Sequence, residues 1–371
     1  MNKIAYLKIG ELGNGLTRQM FTLTTSIILA IYQGTQSIII DNFYCDNSIN
    51  ETKSVCEILD LSKINIHLKK YNITLFDKNN TTFKLEKVMY GIGNKFINIT
   101  NEILDKYYIA DKNILCIKKG TNFNLFKGDP CPGVIKKVEF TYYLNDMKFF
   151  ETHNEYIEKD IIVDIVNSKY VNTFSWIDAL NVDLFEEIIT YISFNNHYLD
   201  LVNNIKLTTS NNCNIIHLKL ENDDINYWAN MNNMENDSFK KNIEDKYIEI
   251  IQKYIKKTDN TIVLSDSMNN NVINYLKNNN YLYFIPERFF SNGSELNKII
   301  DLLISEKCNN VFIGNFNTDK IIGSPFSYFI SKKMNDNVKQ MLIDLDSIMD
   351  EENIYFNKQT KLINYSYLIN K

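Results

Sequence analysis

Glycine and proline are scarce in this chain, at 12 and 4 among 371 residues. The shortfall goes with an abundance of lysine, asparagine, isoleucine, tyrosine and phenylalanine. Such a bias points to an AT-rich coding sequence, of the kind some viruses and protists carry, and not to a function. Cysteine is sparse and scattered: Cys45, Cys56, Cys116, Cys131, Cys213 and Cys308 include no C-x-x-C pair. That argues against a zinc site and removes a dithiol redox motif. A chain of this length can build its core without cross-links, so reduced thiols are expected. No long basic stripe occurs and the net charge is −5, so nothing favours non-specific nucleic-acid binding. Long apolar runs are missing too. Leu23 to Ile31 is interrupted by Thr and Ser, which is not the pattern of a membrane span. MNKIAYLKIG is too short and polar for a signal peptide. The expectation is a protein of the cytoplasm or another intracellular compartment. Asn-x-Ser/Thr triplets such as Asn72-Ile73-Thr74 and Asn98-Ile99-Thr100 arise by chance in an asparagine-rich chain. No repeat at solenoid spacing is present.

What remains is a sequence that folds. It is 44% hydrophobic and 23% charged, the balance of a globular protein, and its length calls for two domains. Ile4 to Ile9 reads as a buried strand, Gly10 to Gly15 as a turn, Leu16 to Gly34 as a long helix and Ser37 to Ile40 as a β-branched strand. This βαβ unit implies a parallel sheet with a right-handed crossover. From Cys45 to Asn172 the pattern is irregular, with short strands and tyrosine-rich turns. Ile177 to Leu207 is helical, with Leu184, Ile188, Ile189 and Ile192 on one face. A second α/β series then begins. Strands are expected at 214–218, 261–264, 281–285 and 310–313, and helices at 237–256, 270–277, 296–307 and from Gly323. The expected fold class is therefore α/β, with one lobe over 1–200 and another over 201–371, a last helix being able to cross back.

Parallel sheets bind ligands at the carboxyl ends of their strands. Four such ends carry polar residues: Gly10-Glu11, His217-Lys219, Ser265-Asp266 and Gly314-Asn315. The first and last lead into helices, whose free N–H groups and partial positive charge suit phosphate. The general reading is a nucleotide or nucleotide-sugar held between two lobes.

These segments resemble a family. GELGNGLTRQMF (Gly10–Phe21) is similar to the glycine-asparagine loop that opens the fucosyltransferase superfamily, a variant of G-G-x-x-N-Q. HLKLENDD resembles its H-x-R segment, nearest to the H-L-R-x-E-x-D of the protein O-fucosyltransferase-like branch, with the α-1,2-fucosyltransferase-like branch beside it. FIGNFNTDKIIGSPFSYFI resembles F-I-G-N followed by S-S-F-S. The resemblance covers the first forty residues and roughly 214–335. It implies a GT-B fold of two Rossmann-like lobes facing a cleft, acceptor side first and nucleotide side second. It implies inverting transfer of fucose from GDP-fucose to a hydroxyl of a glycan or protein, with no metal or other cofactor.

Individual residues follow from that resemblance, each with a plainer alternative. Lys219 stands where the family has an arginine facing the donor diphosphate. It keeps the charge but loses the planar fork, which leaves open a catalytically impaired nucleotide- or glycan-binding protein, or a transferase with another donor. His217 lies two residues earlier, so it faces the same side; it touches phosphate or ribose, or is satisfied inside the sheet. Glu11 is the base that takes the acceptor proton, or a carboxylate favoured by the helix dipole. Gly13 and Asn14 match the donor-binding loop, while Arg18 is one turn on and solvated. Asp266 meets ribose or base, or caps the next helix. Ser324, Phe326 and Ser327 match S-x-F-S, with Pro325 in the first helical turn and the serine hydroxyls holding the diphosphate. Arg288 reads as a surface charge, with a phosphate contact as the alternative. Glu221 to Asp224 reads as a solvated loop. Asp344-Leu345-Asp346 lies in VKQMLIDLDSIMD, whose spacing is that of an amphipathic helix, so no metal is expected there.

Overall fold

The structure is a computed structural model that describes residues 4–7, 9, 15–46, 50–109, 114–144, 147–157, 161–163, 182–205, 212–291, 294–317, 322–343, 345 and 354–356. The chain opens with β1 (Ile4–Leu7), α1 (Leu16–Gln33) and β2 (Ser37–Ile40), then the hairpin β3 (Phe43–Asp46) and β4 (Glu51–Lys53). After α2 (Val55–Ile58) and α3 (Leu61–Leu68), β5 (Thr74–Asp77) completes a three-stranded parallel sheet in the order β1-β2-β5. The expected βαβ unit is present, with Ile4 opposite Ser37 and Leu7 opposite Ile40. α1 explains how a Thr-rich helix can be buried almost all round. Thr22, Thr24 and Ser26 donate their hydroxyls to the carbonyls four residues back, at 3.0, 2.9 and 2.7 Å. The side chain of Gln19 exchanges two 2.9 Å bonds with the backbone of Tyr44. These three hydroxyls and the Gln19 amide therefore find acceptors without breaking the helix.

The stretch whose sequence is irregular contains a separate antiparallel layer. It comprises β6 (Phe83–Ile92), β7 (Lys95–Asn98), α4 (Thr100–Tyr107), β8 (Tyr108–Ile109), β9 (Ile114–Ile117), α5 (Asn124–Lys127), β10 (Lys137–Leu144), β11 (Met147–Asn154) and β12 (Ile161–Val163). Four strands pair as β11-β10-β6-β7 and three as β12-β9-β8. β10 alternates exposed, buried and half-buried positions, so Val138, Phe140, Tyr142 and Leu144 face one core with Val88, Tyr90 and Phe149. The helical stretch that follows is two helices, α6 (Val182–Tyr191) and α7 (Asn196–Asn203).

The last part is the expected second α/β series: β13 (Cys213–Leu218), α8 (Asn222–Met231), α9 (Asn236–Tyr254), β14 (Asn260–Ser265), α10 (Asn271–Asn278), β15 (Tyr283–Phe284), α11 (Leu296–Lys307), β16 (Val311–Asn317), β17 (Ile322–Gly323), α12 (Pro325–Lys333), β18 (Lys339–Ile343) and β19 (Ile354–Phe356). The sheet order is β15-β14-β13-β16-β18-β19, parallel except for the edge strand β19, with β17 paired antiparallel to the end of β16. The chain runs outward from β13 to β15 and then reverses through β16 to β18. The switch point of this doubly wound sheet thus lies between β13 and β16, where ligands characteristically bind. An α/β architecture with two parallel sheets and a cleft, the GT-B-like arrangement expected, is what forms.

Both faces of β13 are covered. Ile216 and Leu218 pack against α8, α9 and α10, while Cys213 and Ile215 belong to a cluster containing α1, α6, α7, α11 and α12. That cluster also holds Leu7, Ile38 and Ile40 from the first sheet, so one apolar core runs continuously through both halves.

Three expectations fail here. Cys213 and Cys308 form a disulfide, because the start of β13 and the end of α11 bring their Cα atoms to 4.9 Å; the other four cysteines are free. The apolar spacing of VKQMLI belongs to a strand, β18, whose residues are buried on both faces after Lys339. A two-sided strand and a short helix carry similar runs, and spacing alone does not separate them. Asp344 and Asp346 lie outside the described residues, as does any helix that crosses back after 357. Glu221 to Asp224 is not a loop but the first turn of α8, with Ile225, Trp228 and Ala229 as its buried stripe. Among the described residues no helix is long and apolar enough to cross a membrane.

Candidate functional site

A cleft of about 560 Å³ opens at the switch point. One wall is the start of α1, from Gly15 to Arg18, and the opposite wall is His217, Lys219 and the start of α12 at Ser324 to Phe326. Asp224, Glu295 and Lys298 complete the lining.

His217 is deeply buried, 3% exposed near the end of β13. Its Nδ1 lies 2.6 Å from Ser327 Oγ. That oxygen accepts the Asn315 N–H at 3.3 Å and is itself fully buried, so its own proton goes to Nδ1. The imidazole proton therefore sits on Nε2, the one polar atom of the ring left for a ligand. Burial, then the charges of Lys298 and Lys219, hold the imidazole pKa well below its ordinary value. His217 is a neutral donor, and the Phe326 ring meets it edge-on with centroids 5.2 Å apart. Behind it, Tyr247 donates to the His217 carbonyl at 2.7 Å and accepts from Asn315 Nδ2 at 3.1 Å.

α12 comes this close only because β16 carries Gly314. A Cβ there would lie 2.7 Å from Ser327 Oγ and 2.9 Å from its Cβ. Ser324 caps α12, its hydroxyl accepting the Ser327 N–H at 3.3 Å, and Asn315 Oδ1 accepts the Ser324 N–H at 3.0 Å. Pro325 fills the first helical position, where no N–H is needed. The two serines are thus brought to the site, but Ser327 orients His217 and Ser324 caps the helix. The Ser327 hydroxyl is engaged with His217 and the Asn315 N–H, whereas Ser324 accepts the cap bond and lines the cleft.

Lys219 lines the cleft and forms ion pairs with Glu221 at 3.1 Å and Asp224 at 2.8 Å. Burial disfavours the ammonium, but Glu221 and Asp224 outweigh it and raise the Lys219 pKa. Lys298 and Arg18 supply two further cations. Asp266 does not cap the following helix; Asn270 does, accepting the Ile273 N–H at 2.9 Å. Instead Asp266 pairs with Arg288 at 3.0 Å and with Lys298. Burial alone would raise its pKa, yet Lys298 and Arg288 hold it below the carboxylate range. Arg288 is not a surface charge. Its guanidinium grips both oxygens of the buried Asp301, at 2.9 and 2.8 Å, and so anchors Asp266 behind Lys298.

Glu295 and Lys298 escape a sequence reading because a parallel sheet draws attention to strand ends, and both lie at the start of α11. Glu295 accepts the Leu16 N–H at 2.8 Å and so sits on the N-terminus of α1 from the other half of the chain. Glu11, Gly13 and Asn14 lie outside the described residues, just before this helix. Among the described residues no group of three or more His, Cys, Asp or Glu could hold a metal ion.

No protein-family model matches the sequence, and no curated protein matches it. Among solved structures the chain is similar to POFUT1 in complex with GDP, with 10% identity over 93% of this chain and 98% of that one and a TM-score of 0.48. It is similar to POFUT1 in complex with GDP-fucose, with 10% identity over 91% and 97% and a TM-score of 0.48. It is also similar to the fucosyltransferase NodZ from Bradyrhizobium, with 9% identity over 96% and 98% and a TM-score of 0.48.

Proposed function

We propose that the protein is a glycosyltransferase that binds a nucleoside-diphosphate sugar in the switch-point cleft. One observation carries this reading: two helix N-termini, α1 and α12, and the cations Lys219, Lys298 and Arg18 all line one cleft of about 560 Å³. Leaving-group departure puts negative charge on a diphosphate. Fixed cations and helix ends aimed at it act more strongly on the transition state than on the bound donor. In this reading the cations do the charge compensation, no resident metal is required, and the neutral Nε2–H of His217 donates to a phosphate or ribose oxygen. The donor is GDP-fucose, on the strength of the three sequence segments that resemble fucosyltransferases. Transfer goes to a hydroxyl of a glycan or protein with inversion, residues 1–200 serving the acceptor and 201–371 the nucleotide. Glu11 is the base, with Gly13 and Asn14 in the donor loop.

A second reading has an observation of its own. Lys219 is already paired with Glu221 and Asp224, and Glu295 occupies the start of α1. A protein that binds the nucleotide without transferring sugar would tolerate both. Calorimetric titration against GDP, UDP, ADP and their sugars, followed by a donor-hydrolysis assay, separates the readings. GDP-fucose should bind and be hydrolysed slowly, and Lys219→Ala should abolish turnover. Binding without turnover favours the non-catalytic protein; no binding to any nucleotide sugar ends the transferase reading.

A further inference from the structure

The antiparallel layer holds a second cavity, of about 530 Å³, which shares no lining residue with the cleft. Its walls are loops: the turn after β9, the start of α5, the segment from Gly128 to Lys136 before β10, and the segment from Glu155 to Ile157 after β11. In a chain so poor in glycine and proline these loops are rich in them. Two of the four prolines, Pro130 and Pro132, and three of the twelve glycines, Gly120, Gly128 and Gly133, lie here. All three glycines have positive φ, between +76° and +83°, a conformation that suits glycine and fixes the loop path.

The floor is a buried polar network. Lys136, whose side chain is 3% exposed, pairs with Asp129 at 3.1 Å and Glu155 at 3.2 Å. Its ammonium also donates to the Val134 carbonyl at 2.8 Å. Tyr90 donates to Glu155 Oε2 at 2.6 Å and approaches Asn124 Oδ1 at 2.8 Å. This network leaves a mixed set of polar atoms unused: Glu155 Oε1, Asp129 Oδ2, and the amide nitrogens of Asn122 and Asn124. On the rim Tyr156 is 71% exposed.

These features select a ligand chemistry. The only cation in the network is neutralised by two carboxylates, so an anion meets net negative charge. A wholly apolar ligand would bury the unused amide and carboxylate atoms without partners. Hydroxyl groups each donate and accept, which matches carboxylate oxygens set beside amide N–H groups. A flat, solvent-exposed tyrosine beside them offers a stacking surface for the C–H face of a ring. The cavity is in the size range of small-ligand sites. We infer that this cavity binds a neutral saccharide, with Tyr156 as the stacking platform and Asn122, Asn124, Asp129 and Glu155 as the hydroxyl partners.

The inference does not depend on the donor reading, and its test keeps the two apart. Saturation-transfer NMR on the full chain, with maltotriose, cellotriose, lactose, N-acetyllactosamine and mannotriose as probes, should show contact with at least one sugar. Tyr156→Ala should weaken that sugar by about three- to tenfold. Its side chain is exposed, so the fold and the melting temperature should not change. Asn124→Ala should also weaken it, and Lys219→Ala should leave it unaltered. Contact with none of the five sugars, or a sugar whose affinity ignores Tyr156→Ala, overturns the inference. So does selective binding of a neutral tripeptide in place of every sugar.

Discussion

The His217 environment makes a prediction that can be worked through in numbers. In the unfolded chain a histidine titrates near 6.5. In the folded protein burial, followed by Lys298 and Lys219, moves His217 well below that value. Between the two pKa values the unfolded state binds one more proton than the native state, so stability falls as the pH is lowered. Above about pH 6.5 the contribution vanishes; below it the slope is about 1.4 kcal/mol per pH unit until the folded pKa is reached. Integration gives a loss of about 1.4 kcal/mol between pH 7.5 and 5.5 from this one side chain. Other groups titrate in that range, so the useful quantity is the difference between the wild type and His217→Asn. The asparagine oxygen can accept from Ser327 as Nδ1 does, without a titrating proton. Urea denaturation of both proteins at pH 7.5, 6.5 and 5.5 measures it. The gap should shift by about 1.4 kcal/mol toward the variant at the acid end. A gap that stays constant with pH would mean that His217 protonates freely, and that neither its burial nor its tautomer is as described.

Other perturbations have equally specific outcomes. Arg288→Ala leaves the buried Asp301 without the Nη1 that donates to both its oxygens and should cost about 3–5 kcal/mol in urea denaturation, with part of the loss recovered by adding Asp301→Asn. Gly314→Ala drives a methyl group into Ser327, only 2.7 Å from its Oγ; about 1–3 kcal/mol should be lost, and under the proposed function nucleotide affinity should fall with it as His217 is displaced. Replacing Cys213 and Cys308 together by serine removes a link between residues 95 apart in sequence. The melting transition should drop by the equivalent of about 2–4 kcal/mol, and a reducing agent should destabilise the wild type and not the variant.

The framework of the second half was legible because parallel strands buried on both faces read as continuous apolar runs, and their ends are marked by abrupt polarity. IIHL followed by Lys219 and SPFS after FIGN both delivered residues to the cleft. What those residues do there was less legible. Whether Ser327 faces a ligand or His217 depends on how closely α12 approaches β16, and that is set by a missing Cβ at Gly314. Arg288 looked like a surface charge because its partner, Asp301, sits inside an otherwise apolar helical stripe where a carboxylate is not anticipated. The antiparallel layer resisted reading for a different reason: its strands are short or half-exposed, and its pairing of β10 with β6 joins segments some fifty residues apart. VKQMLI failed because the length of an apolar run does not reveal whether its two faces meet one neighbour or two.

The apolar cluster that joins α1, α6 and α7 to β13, α11 and α12 bears on how the cleft can be loaded. Halves that share a core cannot swing apart like the shells of a clam without exposing Phe21 and the rings of Phe185, Tyr328 and Phe329, whose centroids lie 5.4, 6.1 and 6.0 Å from that of Phe21 at the seam. A ligand must instead enter by local rearrangement at the mouth. Lys219 would exchange Glu221 and Asp224 for an incoming anion, and Glu295 would have to give up the Leu16 N–H for that anion to reach the start of α1. The same shared core makes the two halves poor candidates for separate expression, since each would present to water the surface that the other now covers.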